Sequence, residues 1–160
     1  MDPSDTYQII ILLILLALSA FFSSNETALM SVNKIRLRSL ADEGNKRAAM
    51  ALDILENQTP KLLSAILIGN NIVNISASSL ATILTTRLLA GTGLAAVAAG
   101  ISTGVLTLIV LVFGEITPKT CATINAEKIA LANAKIIYTW MVIATPLIFI
   151  MNKLSLGILF

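Results

Sequence analysis

Three short polar segments interrupt apolar stretches of this sequence, and they hold the residues that could do chemistry. They are residues 23–27 (SSNET), 69–74 (GNNIVN) and 114–118 (GEITP). Together they offer hydroxyl, amide, carboxylate and backbone carbonyl oxygens, which suit hard cations such as Mg²⁺, Ca²⁺ or Na⁺. The chain has no histidine and one cysteine, which argues against zinc, copper and disulfides. A metal site here would be built from oxygen.

The first two segments each allow two interpretations. Glu26 lies eight positions before the basic residue Lys34; it would either face an ion inside the membrane or extend to the cytoplasmic rim. Asn70 and Asn74 are four residues apart, so both project from one helix face. They would either bind an ion together with Ser23 or link helices by hydrogen bonds.

The third segment contains a backbone feature that could serve a cation. Pro118 has no N–H, so the Gly114 carbonyl four residues earlier would lack its helical partner. A helix C-terminus also carries partial negative charge, and Glu115 adds a carboxylate. The alternative is an ordinary helix end. With Glu26, Glu115 would supply two carboxylates, which slightly favours a divalent ion.

The elements that must position these residues are membrane helices. Of the 160 residues 56% are hydrophobic and 12% charged, against about 25% charged in soluble domains, and the mean hydropathy is +0.87. Apolar stretches near 7–31, 62–86 and 93–115 each exceed the roughly 20 residues that cross a bilayer. A cleaved signal peptide is the alternative for the first stretch, but it would need a basic start. The net charge of +2 without a basic run excludes nucleic acid binding.

Lysine and arginine predict the orientation of the spans. They concentrate in 34–61 and after 118, which places the N-terminus outside and the C-terminus in the cytoplasm. Residues 34–58 are predicted to form two short helices split at Gly44 and Asn45, lying along the membrane surface. Residues 127–160 would form either a fourth crossing or, as we predict, a bent hairpin along the cytoplasmic leaflet, because Pro146 interrupts the run.

The three polar segments resemble the transmembrane domain of the CorC/cyclin-M (CNNM) magnesium transporters. The resemblance is carried by residues 21–30 (FFSSNETALM), 67–74 (LIGNNIVN) and 112–119 (VFGEITPK), in this order and at this spacing. It extends over about residues 8–150. Bacterial members often have Gly and Ser where this chain has Ser24 and Asn25, which affects the choice of hydroxyl in the first helix but not the assignment.

The resemblance implies an all-α membrane protein: a single transmembrane domain over 1–160, with three transmembrane helices, a juxtamembrane belt and a homodimeric assembly in the cell membrane. It further implies a cytoplasmic pair of CBS domains that binds nucleotide, and that pair is absent from these 160 residues. The implied activity is Mg²⁺ export, coupled to Na⁺. The implied ligands are Ser23, Asn70, Asn74, the Gly114 carbonyl and Glu115, with Glu26 as a further candidate.

Four functions therefore need comparison. The leading hypothesis is a Mg²⁺ transporter that works by alternating access, with helix breaks at Ser23 and Gly114 as gates. A Mg²⁺ sensor that regulates another protein without conducting would share the same site. An intramembrane hydrolase lacks a histidine to activate a serine, so we expect no enzyme activity. A plain membrane anchor would leave the polar segments unexplained.

Overall fold

The computed structural model describes residues 3–88 and 95–159, and it is helical almost throughout. Residues 89–94 lie outside the described residues; they include most of the predicted turn between the second and third spans and the first two residues of the predicted third span. The helices in chain order are α1 (Pro3–Ser31), α2 (Lys34–Asp42), α3 (Lys46–Asn57), α4 (Thr59–Leu88), α5 (Ala95–Ile109), a π-helical stretch (Val110–Ile116, the π segment), α6 (Thr117–Ile124) and α7 (Ala126–Leu159).

Within residues 3–88 and 95–159, four stretches of helix are long and apolar enough to cross a membrane, one more than the three spans we predicted. They are Asp5–Ser31, Thr59–Arg87, Gly100–Ile124 and Ala126–Leu154. Large apolar side chains remain exposed on all four. Such surfaces are unusual in water and normal against lipid. The all-helical membrane class is therefore confirmed.

The C-terminal segment corrects the prediction of a bent hairpin over 127–160. α7 is one continuous helix with Pro146 inside it. Proline removes the helical hydrogen bond to the Val142 carbonyl, four residues earlier, and membrane helices tolerate such a loss. A hairpin would also need turn residues, and the stretch 136–151 contains no glycine, asparagine or aspartate.

The predicted helix breaks at Ser23 and near Gly114 are also corrected. α1 runs unbroken through Ser23, because residues 23–27 contain neither proline nor glycine, the residues that disrupt a helix most. Near Gly114 the helix does not end but widens into the π segment. The Thr117 N–H donates to the Val112 carbonyl, five residues earlier, and Pro118 then occupies the first turn of α6, where proline is tolerated.

The two predicted short helices after the first span are confirmed as α2 and α3. Asn33 and Asn45 cap their N-termini, each side-chain oxygen accepting two backbone N–H bonds. Between them Gly44 has φ = 90°, a left-handed conformation that glycine adopts without steric cost. Their position along the membrane surface stays a prediction.

The chain divides into two compact units. One contains the residues up to Ser23 and from Asn70 to Pro118, and the other contains Ser24–Gly69 and the residues from Lys119 onward. In the second unit α2 packs on α3, and α3 packs on α7. The indole N–H of Trp140 donates to the Ala65 carbonyl at 2.8 Å and ties α7 to α4. In the first unit the buried face of α1 includes Ser19 and Ser23, both almost fully buried.

Candidate metal centre

The first unit brings together polar side chains from α1, α4 and the π segment. Ser19 and Ser23 are four residues apart on α1, as are Asn70 and Asn74 on α4, so each pair shares one helix face. The hydrogen bonds that follow join these two faces to each other and to the π segment. Sequence reasoning predicted this convergence for every residue of the group except Ser19.

The first contact joins Asn70 to Ser23. The Asn70 Nδ2 donates to Ser23 Oγ at 3.3 Å, and Ser23 has no solvent exposure. The Asn70 Oδ1 is buried and accepts no hydrogen bond within the described parts of the chain. A buried amide oxygen without a partner costs about 1–3 kcal/mol. This oxygen is therefore available to a cation or to a donor group of a ligand.

The second contact is a chain of two hydrogen bonds through Asn74. Ser19 Oγ donates to Asn74 Oδ1 at 2.9 Å, and Asn74 Nδ2 donates to Glu115 Oε1 at 3.4 Å. In this arrangement the amide NH₂ donates and the carboxylate oxygen accepts. Ser19 was missed because it stands alone in an apolar run. Its spacing of four residues from Ser23 is the signal that could have identified it.

Gly114 allows the π segment to approach α1 closely. A Cβ atom at this position would lie 3.0 Å from Ser19 Oγ and 3.3 Å from Ser19 Cβ. Glycine therefore lets the π segment pack against Ser19 without the displacement that a side chain would cause. π-Helical turns occur frequently at functional sites, and here the turn carries both Gly114 and Glu115. That the Gly114 carbonyl binds an ion stays a prediction.

A cavity of about 210 Å³ opens beside Asn74 and Glu115. Its polar lining also includes Ser78 and Thr107, and its apolar lining consists of Leu106, Val110 and Leu111. A water molecule occupies about 30 Å³ in the liquid, so the volume holds a cation together with several waters. Mg²⁺ usually keeps part of its water shell. The cavity therefore suits a partly hydrated ion.

Glu26 has its contacts in the second unit. Its Oε2 lies 3.4 Å from Lys119 Nζ, and both side chains are partly exposed. The two carboxylates expected from the sequence therefore do not have equivalent partners. Glu26 faces a cationic group, whereas Glu115 faces an amide. Of the two, Glu115 has the environment that leaves its charge available to an ion.

The donor set fits a hard cation held mainly by neutral oxygens. Residues 3–88 and 95–159 contain no group of three or more His, Cys, Asp or Glu side chains that could hold a metal ion. The candidate ligands are instead two amides, hydroxyls and one carboxylate, all of them oxygen donors that suit Mg²⁺ or Na⁺. These side chains could hold a cation, with water completing its coordination.

An all-helical chain with four apolar helices of this length is a multi-pass membrane domain. Residues 10–160 match the family described as the cyclin M transmembrane N-terminal domain. The chain therefore belongs to the CNNM family, and the resemblance carried by the three polar segments is confirmed.

Relatives support the assignment across bacteria and plants. A UPF0053 protein of Haemophilus influenzae is 49% identical over 143 residues, covering 89% of this chain and 33% of that protein. The UPF0053 inner membrane protein YfjD of Escherichia coli is 42% identical, covering 86% and 31%. The chloroplastic DUF21 domain-containing protein At1g55930 of Arabidopsis thaliana is 34% identical, covering 94% and 22%. The chain thus spans a third or less of the length of these relatives.

Proposed function

We propose that this domain transports Mg²⁺ across the membrane, binding it between Asn70, Asn74 and Glu115 with Ser23 and the Gly114 carbonyl as further ligands. The transport is export coupled to Na⁺ entry, and the domain works as a homodimer without enzyme activity. The N-terminus lies outside the cell and the C-terminus in the cytoplasm. Nucleotide acts only through regulatory CBS domains beyond these residues.

The proposal rests mainly on one observation: oxygen donors converge around buried polar groups whose hydrogen bonds are incomplete. The Asn70 Oδ1 is buried without a donor among the described residues, and Asn74 contacts Glu115 beside a cavity. Polar groups inside a membrane are costly unless they are paired or serve a function. A cation would satisfy the Asn70 oxygen and the Glu115 charge together.

Flux measurements in liposomes test the proposal. Purified protein is reconstituted into vesicles loaded with a Mg²⁺-sensitive dye, and Mg²⁺ flux is followed with and without a Na⁺ gradient. Asn74→Ala and Glu115→Gln should each reduce flux by about tenfold or more, as expected when a metal contact is lost. Glu43→Gln is the matched control, because it removes the same charge from an exposed residue after α2. If Asn70→Ala, Asn74→Ala and Glu115→Gln all transport Mg²⁺ at the wild-type rate, the Mg²⁺ site does not lie at this location.

A Mg²⁺ sensor is the second candidate, and one observation favours it. α1 passes through Ser23 as a continuous helix, so the helix break that was expected to act as a gate at this position is not present. The same vesicle experiment separates the two functions. A sensor would bind Mg²⁺ in a manner that depends on Asn74 and Glu115, yet the dye would report no flux.

A further inference from the structure

Ser19 is the one buried polar residue of the cluster that the proposed ligand set does not use. It is 1% exposed, and its Oγ donates to Asn74 Oδ1 at 2.9 Å. The Asn74 oxygen is therefore already engaged, and the NH₂ group of the same amide faces Glu115. This orientation is the wrong one for a cation between Asn74 and Glu115, because an NH₂ group has no lone pair to offer.

A cation at this position requires the opposite orientation of the amide. Rotation of the terminal torsion of asparagine exchanges the oxygen and nitrogen at little cost, because that torsion has broad wells. The oxygen would then face the cation, and the NH₂ group would face Ser19. A hydroxyl both donates and accepts hydrogen bonds, so Ser19 can bond to the amide in either orientation.

We infer that Ser19 is a positioning residue that holds the Asn74 amide in two opposite orientations. Its hydroxyl donates to Oδ1 in the orientation seen here and accepts from Nδ2 in the orientation that binds a cation. This inference rests on the proposed function, because it takes Asn74 as a ligand. Gly114 completes the arrangement, since a Cβ at that position would lie only 3.0 Å from the Ser19 hydroxyl and would press on it.

Ser19→Ala should destabilise the cation-binding orientation of the Asn74 amide more than the orientation seen here. Mg²⁺ binding should therefore become weaker. Without the hydroxyl, the cation-binding orientation leaves a buried N–H unpaired, whereas the other leaves a carbonyl oxygen unpaired. Buried N–H groups without partners are the rarer and less tolerated of the two. We expect the Kd for Mg²⁺ to rise about 3- to 10-fold, less than the roughly 5- to 150-fold that one unpaired buried group would cost alone, because both orientations lose a hydrogen bond. Ser19→Thr keeps a hydroxyl and should restore binding to near the wild-type value.

The experiment combines Mg²⁺ titration with NMR of the Asn74 side chain. Protein labelled with ¹⁵N-asparagine is placed in lipid nanodiscs, and the Asn74 NH₂ signals are identified by their loss in Asn74→Asp. We expect these signals to shift as Mg²⁺ is added to wild type, at higher Mg²⁺ in Ser19→Ala and near the wild-type concentration in Ser19→Thr. Ser79→Ala is the matched control, since Ser79 is an exposed serine of α4 in the same unit.

The outcomes separate this inference from the proposed function. If calorimetry detects no Mg²⁺ binding to the wild type, or detects binding that Asn74→Ala leaves unchanged, the proposed function fails. If such binding is present but Ser19→Ala titrates like wild type, the role of Ser19 is wrong. It is equally wrong if Ser19→Thr binds no better than Ser19→Ala, because packing rather than the hydroxyl would then matter.

Discussion

Gly114→Ala is the substitution that most directly tests the packing of the candidate site. The added methyl group would lie 3.0 Å from Ser19 Oγ, 3.3 Å from Ser19 Cβ and 3.5 Å from Leu16 Cδ1. Ser19 is buried and bonded to Asn74, so it cannot rotate into solvent. α1 and the π segment would therefore separate by a few tenths of an ångström, and the displaced Ser19 hydroxyl would lose its hydrogen bond to Asn74.

Three terms decide the size of the effect. Overpacking a well-filled interior costs about 1–3 kcal/mol, and a lost hydrogen bond adds about 1 kcal/mol. Alanine is favoured over glycine in a helix by about 1 kcal/mol, which offsets part of this. The net destabilisation is about 1–3 kcal/mol. At roughly 2–4 °C per kcal/mol for a chain of this size, the Tm should fall by about 2–12 °C.

Thermal melting followed by circular dichroism measures this change in an all-helical protein. Gly104→Ala is the control for helix propensity, because a Cβ at Gly104 has no described heavy atom within 4 Å beyond its chain neighbours and the adjoining backbone of its own helix. It should melt at the wild-type temperature or slightly above. In the Ser19→Ala background the cost of Gly114→Ala should shrink, since the closest contact is gone, and a double-mutant cycle measures the difference. A Gly114→Ala protein that melts like Gly104→Ala would refute the reasoning.

Two further predictions concern acidic residues outside the cluster. Glu26→Gln should change the Kd for Mg²⁺ less than Glu115→Gln does in the same titration, because Glu26 pairs with Lys119; an equal loss would make Glu26 a ligand. The side chains of Asn57 and then Gln58 hold the pKa of Asp53 below its ordinary value of 3.8. The stability that these contacts provide is therefore present above that value and lost as the pH falls through the lower, folded-state pKa. Carboxyl NMR titration should show the pKa rising in Asn57→Ala, and an unchanged pKa would contradict this cause.

The helices could be predicted because their signals are local. Hydropathy over 7–31 and 62–86 identified α1 and α4 to within a few residues, and the capping residues Asn33 and Asn45 stand where α2 and α3 begin. The spacing of Asn70 and Asn74 likewise predicted one shared face. Such features depend on the chain within one or two helical turns, where side-chain spacing and capping decide the outcome.

The errors arose where a local signal competes with context. Pro146 predicts a bend in isolation, but α7 continues through it, since a membrane helix tolerates the loss of one backbone hydrogen bond. Gly114 and Pro118 predict a helix end, but a wider turn carries the chain past them. Ser19 was missed because its only local signal is the four-residue spacing from Ser23. Its importance becomes clear only when another helix places Asn74 Oδ1 2.9 Å from its hydroxyl.

The charge of the cluster bears on what kind of cation site it could be. Glu115 is its single carboxylate, since Glu26 pairs with Lys119, and the other donors are neutral. A divalent ion held there would keep a net charge of about +1, and affinity in oxygen-ligand sites falls as fewer ligands are charged. Permanent structural sites gain from tight binding, whereas a transported ion must both enter and leave. A cluster with one carboxylate and several neutral oxygens therefore favours a cation that binds and dissociates over one that is held permanently.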